Sequence, residues 1–402
     1  SEGVSEAAGV LQGAEQIVVI WSDRIAREGD DATSALLELS AALGLAGKEG
    51  SGLLEIPSFT NARGLREAGC LPDAGPGLTQ APFPANSAGN GASVGKGTEE
   101  IRAALESGEL KTVVLFGVDP LRDFPDTEAW KAALASADHV IAFSTFETAT
   151  TAMADVVFPL ETHAEKDGTV SHPDGRLQRV RPSASRPGNI RPNWGVLAEL
   201  SLALGHDTGV SSQPSAFAAL ADAVPFYAGI TDADIAGRGV RWQDVSTAVS
   251  SGEAGGADSA DAARREAKSI SAEGVGPSGS VSGESAPPAF SDPNTGGSEL
   301  LSLSTYRDLW AGPITELNPP LKFLAPQQRV ELSVADADRL GLSAGEEVSV
   351  SQNGTSVRAK VTIKERVPEG VCFLIEGVAD GNANALLNGS PVSVQIEKTP
   401  AA

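Results

Sequence analysis

The densest group of polar side chains in the sequence follows a short apolar run and reads ETHAEKDGTVSHPDGRLQ at 161–178. It contains two of the four histidines of the chain. Glu161, His163, Glu165 and Asp167 occupy every second position, so an extended backbone would project all four side chains from one side. Carboxylates and imidazoles in such a row are side chains that hold a metal ion or relay a proton.

The second part of this stretch has a structural explanation as a hairpin. His172-Pro173-Asp174-Gly175 places proline at the second position and glycine at the fourth position of a type I turn. This turn would join GTVS to RLQRV. Metal ligands must converge in three dimensions, and polar residues commonly follow a buried strand. We therefore expect a structural hairpin that supplies no catalytic residue and no metal ligand.

A second candidate is the turn within VLFGVDPLRDFPD at 114–126. A continuous apolar strand ends there, and ligands of parallel sheets bind at the carboxyl ends of the strands. Asp119 is the residue that would contact such a ligand. The alternative is structural, because the turn requires Gly117 and Pro120 in any case and because Asp119 can cap the next element. The sequence leaves both alternatives open.

A group of arginines follows the hairpin in an otherwise acidic chain. They are Arg176, Arg179, Arg181, Arg186 and Arg191. Guanidinium groups bind phosphates and acidic partners well, but they could equally pair with the surplus carboxylates of the chain itself. The sequence does not decide between these alternatives.

The elements that position these residues are predicted by hydrophobic periodicity. Apolar runs of strand length occur at 16–21, 112–120, 139–145 and 155–160, and helical patterns lie between them. Uninterrupted apolar strands that alternate with helices are typical of a parallel sheet with helices on both faces. We predict an α/β region over 1–244.

The composition changes twice after this region. Residues 245–298 are rich in Ser, Gly, Ala and acidic residues and poor in aromatic residues, which predicts a disordered acidic linker. The sequence EEVSVSQNGTSVRAKVTI then contains two alternating strands joined at Asn353-Gly354, which is a strong hairpin signal. Together with the further strands that follow, it predicts a small closed β-barrel over 299–402.

Charge and cysteine content exclude several classes of function. The chain has 30 Lys and Arg against 53 Asp and Glu, a net charge of −23, and this charge repels nucleic acids and anionic lipids. No run approaches the roughly 20 apolar residues of a membrane-spanning helix. We therefore expect no nucleic-acid partner and no direct membrane insertion. Cys70 and Cys372 are too few for a four-cysteine zinc site or an iron–sulfur cluster within this chain.

The residues of both candidate sites resemble the molybdopterin oxidoreductase superfamily. The family pattern after such a strand is roughly an acidic residue, Gly-Thr, a polar turn and Glu/Asp-Gly-Arg-x-Gln. The matching residues are Gly168, Thr169, Asp174, Gly175, Arg176 and Gln178. His172 stands where the pattern usually has Asn, and Asp119 replaces the Asn of the family's G-x-N-P turn. The sequence from Arg329 onward resembles the family's final double-psi β-barrel domain, which binds the molybdopterin dinucleotide.

Within this superfamily, NARGLREAGCLPDAGPG at 61–77 resembles the Gly/Pro loop of a peripheral-arm subunit family of NADH-quinone oxidoreductase, respiratory complex I. This resemblance implies a non-catalytic scaffold segment, the C-terminal part of that subunit, in a complex that passes electrons from NADH through iron–sulfur clusters to quinone and pumps protons. It implies that the clusters lie in an N-terminal part outside this sequence. It also implies that this segment binds no cofactor, molybdopterin included.

The same resemblance carries expectations about partners, location and site residues. Other peripheral-arm subunits and the cluster-bearing part would be the partners, on the cytoplasmic side of the bacterial plasma membrane. The alternative is a fragment of a molybdenum or tungsten oxidoreductase such as a formate dehydrogenase. In that case the resemblance assigns pterin contacts to Gly117, Asp119, Pro120, Thr169, His172 and Arg176.

Overall fold

A computed structural model describes residues 2–22, 25, 30–80, 94–245, 300–388 and 392–399. The predicted linker at 245–298 lies outside the described residues except for residue 245. The chain forms two compact units, of which the first contains Ser1–Lys96 and Glu161–Ser280 and the second contains Gly97–Leu160 and Val281–Ala402. The two units interleave along the sequence, and the predicted domain boundaries remain a prediction.

The described strands are numbered in chain order. They are β1 (Val18–Ser22), β2 (Gly52–Ile56), β3 (Ala74–Gly75), β4 (Thr79–Gln80), β5 (Thr112–Phe116), β6 (His139–Ser144), β7 (Val156–Pro159), β8 (Gly168–Ser171), β9 (Arg176–Val180), β10 (Val240–Arg241), β11 (Leu300–Arg307), β12 (Arg329–Leu332), β13 (Glu347–Gln352), β14 (Thr355–Ile363), β15 (Val371–Glu376) and β16 (Ser393–Lys398).

The described α-helices are numbered in the same way. They are α1 (Glu2–Gly13), α2 (Asp30–Ala42), α3 (Ala62–Glu67), α4 (Thr98–Glu106), α5 (Pro120–Asp123), α6 (Thr127–Ser136), α7 (Asn193–Ala203), α8 (Gln213–Ala223), α9 (Pro313–Glu316) and α10 (Val334–Leu340). Short 3-10 turns occupy Leu45–Gly47, Pro76–Leu78, Thr151–Met153, Pro225–Tyr227, Lys322–Leu324 and Ala383–Leu386.

The first unit contains a parallel pair and an antiparallel sheet. Strands β1 and β2 pair in parallel, whereas β8, β9 and β10 form an antiparallel sheet with β9 in the centre. The predicted hairpin is confirmed, because β8 and β9 pair with Ser171 opposite Leu177. Its turn contains Gly175 at a φ of +84°, a conformation that favours glycine. The main core of this unit is formed by Leu177, Phe217, Ala221, Val224, Tyr227, Ile230 and Ile235.

The second unit contains the parallel sheet β5-β6-β7. Val113 and Leu115 on β5 are buried, while Val114 between them is half exposed, as the alternation of side chains along a strand requires. Helices α4 and α6 pack against each other, and Leu105 and Leu134 share a core with β5.

The C-terminal barrel belongs to the second unit. Its six strands close in the order β11-β15-β12-β14-β13-β16, and β11–β15 and β12–β14 are parallel pairs. The predicted hairpin between β13 and β14 is confirmed, since Gln352 pairs with Thr355 and both residues between them have positive φ, 47° at Asn353 and 85° at Gly354. The predicted fold class, α/β with a C-terminal β-barrel, is confirmed.

Some elements differ from the prediction. The sequence GLLEI forms β2, which the prediction missed because it follows a glycine-rich segment and is short. The helical pattern predicted between the apolar runs at 139–145 and 155–160 forms only the 3-10 turn Thr151–Met153. Within the described ranges, none of the helices has both the length and the apolar character needed to cross a membrane.

Candidate functional site

The turn after β5 depends on glycine. Gly117 has a φ of +67°, and its backbone N–H donates to the carbonyl oxygen of Phe143 at 2.9 Å. A side chain at this position would be strained by the backbone conformation, although a Cβ atom would contact only Leu160, at 3.5 Å. Gly117 is exposed, so this end of the sheet is open to solvent.

Asp119 lies immediately before Pro120 and is held by its neighbours. Its carboxylate accepts a hydrogen bond from the Thr150 hydroxyl, and its backbone N–H donates to the carboxylate of Asp123 at 3.3 Å. Burial raises the pKa of Asp123, and the guanidinium of Arg307 at 4.0 Å opposes this rise only in part. The described contacts of Asp119 are therefore those of a structural residue, although its side chain does not cap α5.

Arg122, which sequence reasoning missed, fastens this turn to the barrel. Its guanidinium donates to the carboxylate of Glu316 at 2.7 Å and to the carbonyl oxygen of Gly377. Its own carbonyl oxygen accepts hydrogen bonds from the side-chain amides of Asn382 and Asn384, both at 2.8 Å. These contacts span about 200 residues or more of sequence, so no local pattern could have revealed them.

The surface of the barrel has a shallow cavity of about 580 Å³ that is open to solvent. It is lined by Gln327, Gln328, Arg329, Ala344, Gly345, Lys360, Val361, Thr362 and Ile363. Arg329 and Lys360 face each other in register across the parallel pair β12–β14. The Lys360 ammonium donates to the side-chain amide oxygen of Gln327 at 3.0 Å. The lining therefore includes two cationic residues together with residues that carry amide and hydroxyl groups.

A network of charges supports Arg329 at the edge of this cavity. Its Nε donates to the Tyr306 hydroxyl at 3.0 Å, and its guanidinium pairs with Asp308 at 2.9 Å. Burial alone would raise the pKa of Glu331, but hydrogen bonds from Lys364 and Tyr306 outweigh it and lower that pKa. Burial and the hydrogen bond to Glu331 raise the pKa of Tyr306 to about 12. The network fixes the position of the Arg329 side chain.

The turn of the β8–β9 hairpin holds the predicted residues His172 and Arg176 around one aspartate. His172 Nδ1 lies 2.8 Å from Asp174 Oδ1, and the backbone N–H of Arg176 donates to the same oxygen at 3.0 Å. Thr169 lies further along β8, opposite Arg179, and its hydroxyl is buried without a hydrogen-bond partner among the described residues.

Glu161, the first residue of the polar row, caps a helix. Its carboxylate accepts the backbone N–H of Asn193 at 2.8 Å, at the start of α7, and pairs with the Arg186 guanidinium. The Asn193 side chain in turn accepts the backbone N–H of Glu161 at 3.3 Å. A negative charge at a helix N-terminus is stabilising, so this carboxylate has a structural role.

The other three members of the row point to different partners. Glu165 accepts the backbone N–H of Thr162 at 2.9 Å, Asp167 lies 3.6 Å from Arg179, and His163 is exposed. The four side chains do not converge, because the chain turns after residue 162 instead of remaining extended. That no metal or catalytic site is present here stays a prediction.

The arginines after the hairpin pair mostly with carboxylates of the same unit. Arg179 pairs with Asp232, Arg191 with Glu199, and Arg186 with Glu161 as described above. These contacts favour internal pairing for this part of the group. Arg176 has a weaker interaction, since its nearest carboxylate oxygen lies 3.9 Å away.

A buried carboxylate that the sequence did not reveal lies at the centre of the first unit. Glu67 accepts hydrogen bonds from Arg63 at 2.8 Å, from the Trp242 indole at 3.2 Å and from the Tyr227 hydroxyl. Ser171 on β8 also donates to it at 3.4 Å. Burial raises the pKa of Tyr227, and the adjacent Glu67 raises it further.

Models of two protein families match this chain in the order of its sequence. Residues 9–203 match the molybdopterin oxidoreductase model, and residues 301–402 match the molybdopterin dinucleotide binding domain. The chain belongs to the molybdopterin oxidoreductase family. The two matches together extend over more than half of the chain and include both the β5 turn and the barrel.

Curated relatives in this family have different names. The chain is 28% identical to the NADPH-Fe(3+) oxidoreductase subunit alpha of Geobacter sulfurreducens, over 98% of this chain and 44% of the relative. It is 25% identical to the F420-dependent formate dehydrogenase 2 subunit alpha of Methanococcus maripaludis, over 99% and 59%. It is 26% identical to a NADH-quinone oxidoreductase subunit of Rhizobium meliloti, over 93% and 40%. The chain thus spans about half the length of these relatives.

Among solved structures, acetylene hydratase from Pelobacter acetylenicus has the same fold. The TM-score is 0.53 at 13% sequence identity, and the match covers 77% of this chain and 48% of that chain. At this identity the similarity concerns the fold alone, and it confirms the molybdopterin oxidoreductase fold.

The family models correct the expectation about the cofactor. The expectation that this segment binds no molybdopterin was wrong. Both models describe molybdopterin proteins, and one of them describes the dinucleotide-binding domain itself. The structure fits this correction. The cavity beside Arg329 and Lys360 lies within the matched domain, and its cations, amides and hydroxyl suit an anionic ligand that carries many hydrogen-bonding groups.

Proposed function

We propose that this chain is the cofactor-holding and structural part of a large subunit in a multisubunit oxidoreductase, in which the barrel binds the molybdopterin dinucleotide. The observation that carries the proposal is the barrel cavity, where Arg329 and Lys360 lie side by side in the domain that matches dinucleotide-binding proteins. The pterin contacts that the resemblance assigns to Gly117, Asp119, Pro120, Thr169, His172 and Arg176 stay a prediction.

The residues of the cavity have separate tasks in this proposal. Lys360 and Arg329 donate charge-assisted hydrogen bonds to the phosphate groups of the dinucleotide. Gln328 keeps the wall rigid, because its amide nitrogen donates to the carbonyl oxygen of Ile375 at 2.8 Å while its amide oxygen accepts the backbone N–H of Ile375 at 2.9 Å. When bound, the cofactor supplies redox chemistry at its metal. The chain itself contributes binding and orientation, and no catalytic side chain.

The electron donor of the whole complex is the finer part of the proposal. We infer a complex that oxidises NADH or NADPH, as in the peripheral arm of NADH-quinone oxidoreductase at the cytoplasmic side of the membrane, with iron–sulfur clusters elsewhere in the same polypeptide. Two of the relatives carry NADPH or NADH in their names. The second candidate is a formate dehydrogenase, which the match to the Methanococcus maripaludis protein over 99% of this chain favours.

An exposed apolar surface supports the presence of partner subunits. It consists of Leu309, Trp310, Ile314, Leu317 and Phe323, all between β11 and β12. Leu309 is 84% exposed and Phe323 is 81% exposed. Large apolar side chains that cluster on a surface are typical of protein contacts, so we assign this surface to another subunit of the complex.

The electron donor can be tested on the full-length protein after gentle extraction from its own cells. Reduction of an artificial acceptor is measured with NADH, NADPH and formate, and the co-purifying subunits are identified by mass spectrometry. We expect activity with NADH or NADPH and none with formate. Formate-dependent activity in the same preparation would replace the first candidate with the second, whereas a protein that purifies without partners would contradict both.

A further inference from the structure

The helices described for the parallel sheet β5-β6-β7 pack on one of its two faces. Val113 of β5 and Val140 of β6 share a core with Leu105 of α4 and Leu134 of α6. The connection from β6 to β7 forms only a 3-10 turn, and its Met153 packs against the same core. The connection therefore lies on the face that the helices already cover.

The opposite face of the sheet, which we call the open face, is apolar and partly exposed. It consists of the six side chains that the strand register aligns across the sheet, namely Val114, Phe116, Ile141, Phe143, Val156 and Phe158. Val114 is 50% exposed, Val156 is 45% exposed and Phe116 is 43% exposed. The rings of Phe116 and Phe158 lie 4.9 and 4.7 Å from the ring of Phe143, so three aromatic side chains form a continuous row.

The composition of the open face is that of a buried surface. Parallel sheets occur almost only where helices cover both faces, because their strands carry apolar side chains on each side. All six side chains of the open face are apolar, although the chain contains 53 acidic residues. Contiguous apolar side chains that remain exposed mark a surface at which another element packs.

The dimensions of the open face fit a single α-helix. Neighbouring strands are about 4.8 Å apart, so three strands span about 10 Å, which is about the diameter of a helix with its side chains. The five residues of β5 extend over about 17 Å. A helix of about 11 residues, or three turns, has the same length.

We propose that one amphipathic helix from another part of the same polypeptide covers the open face. Two of the relatives match nearly all of this chain over only 44% and 59% of their own length, so they contain roughly as much polypeptide again. A helix of the same polypeptide has a high effective concentration at this face, whereas a separate subunit loses translational and rotational freedom on binding. The proposal concerns the packing of the sheet and does not depend on cofactor binding by the barrel.

The test is photo-crosslinking in the full-length protein, purified together with its natural partners. Val114→p-benzoylphenylalanine places the photoreactive group on the open face, and mass spectrometry after proteolysis identifies the crosslinked peptides. We expect a crosslink to a peptide of the same polypeptide that lies outside these 402 residues and has apolar residues at helical spacing. Crosslinks only to another subunit, crosslinks only within these 402 residues, or none at all would each overturn the proposal.

Ala135→p-benzoylphenylalanine is the matched control, because Ala135 is exposed on α6, on the other side of the sheet. It should give no crosslink to the peptide that Val114 reaches. Thermal unfolding of the full-length protein provides a second measurement. Val114→Lys places an ammonium group beneath the proposed helix and should lower the melting temperature by about 5 °C or more, whereas Ala135→Lys should leave it unchanged. Equal melting temperatures for Val114→Lys and wild type would show that the open face is in contact with water and would contradict the proposal.

Discussion

At the scale of single residues, this chain uses charged side chains chiefly to join segments that are distant in sequence. Glu67 connects α3 with Ser171 on β8, with Tyr227 and with Trp242. All of these partners donate hydrogen bonds to one buried carboxylate. Each hydrogen bond therefore offsets part of the free energy needed to remove the charge of that carboxylate from water. A single buried carboxylate thus organises the packing of the first unit.

Glu67→Gln should destabilise the first unit strongly. The amide would turn an N–H group toward donors and leave at least one of them without an acceptor, which costs about 2–4 kcal/mol of unfolding free energy. Urea denaturation followed by tryptophan fluorescence measures this change. Glu199→Gln removes an exposed carboxylate of the same unit and should leave the urea midpoint unchanged. Equal midpoints for wild type and Glu67→Gln would contradict the role of Glu67.

At the scale of elements, turns were predictable and long-range contacts were not. The hairpins at Gly175 and at Asn353-Gly354 follow from short signals, because the residues of a tight turn determine its backbone conformation locally. The contact between Arg122 and Glu316 joins residues 194 positions apart, and nothing in the sequence near either residue indicates the other. The same holds for the cavity, since Arg329 and Lys360 become neighbours only through the parallel pairing of β12 with β14.

The polar row at 161–167 shows a second limit of sequence reasoning. Spacing at every second residue implies one common face only if the backbone is extended. The chain turns after Thr162, and Glu161 caps α7 instead of joining its neighbours. The residue types alone indicated a possible site, but the directions of the side chains depend on a helix that begins more than 30 residues later.

The helix α10 of the barrel provides a pH-dependent prediction. Asp336 is buried and accepts from Ser333 at 2.7 Å, from the Gly370 backbone at 2.8 Å and from Arg339 at 2.7 Å. Burial would raise its pKa, but these partners outweigh burial and lower the pKa from its ordinary value of 3.8. The pKa of Asp336 is lower in the folded state than in the unfolded state, so its carboxylate stabilises the fold fully at pH values above its ordinary pKa. This stabilisation is lost as the pH falls through the pKa that Asp336 has in the folded state.

Asp336→Asn should therefore lower the melting temperature at about pH 7. Below about pH 4 the variant should lose less stability than the wild-type protein, because it has no Asp336 carboxylate to protonate. Thermal unfolding between about pH 3 and pH 7 measures both effects. Asp338→Asn on the exposed side of the same helix should follow the wild-type curve. A pH profile of Asp336→Asn that remains parallel to the wild-type profile would show that Asp336 does not contribute to it.

At the scale of the whole molecule, the charge of −23 makes any cluster of cations informative. An anionic cofactor is repelled by the average surface of this chain, so it can bind only where positive groups converge. The barrel cavity provides such a place within the domain that matches dinucleotide-binding proteins. The resemblance recognised from the sequence identified the family and the barrel, but it led to the wrong expectation about the cofactor.

The most direct test of cofactor binding by the barrel is the pterin content of the full-length protein and of two charge-reversal variants on β14. Lys360→Glu places a negative charge in the cavity, whereas Arg358→Glu makes the same change two residues away, at an exposed position that does not line it. Fluorescence of the oxidised pterin and molybdenum or tungsten analysis quantify the cofactor. We expect stoichiometric cofactor in wild type and Arg358→Glu and a clear loss in Lys360→Glu. Wild-type protein without pterin, or equal content in both variants, would contradict the proposed role of the barrel.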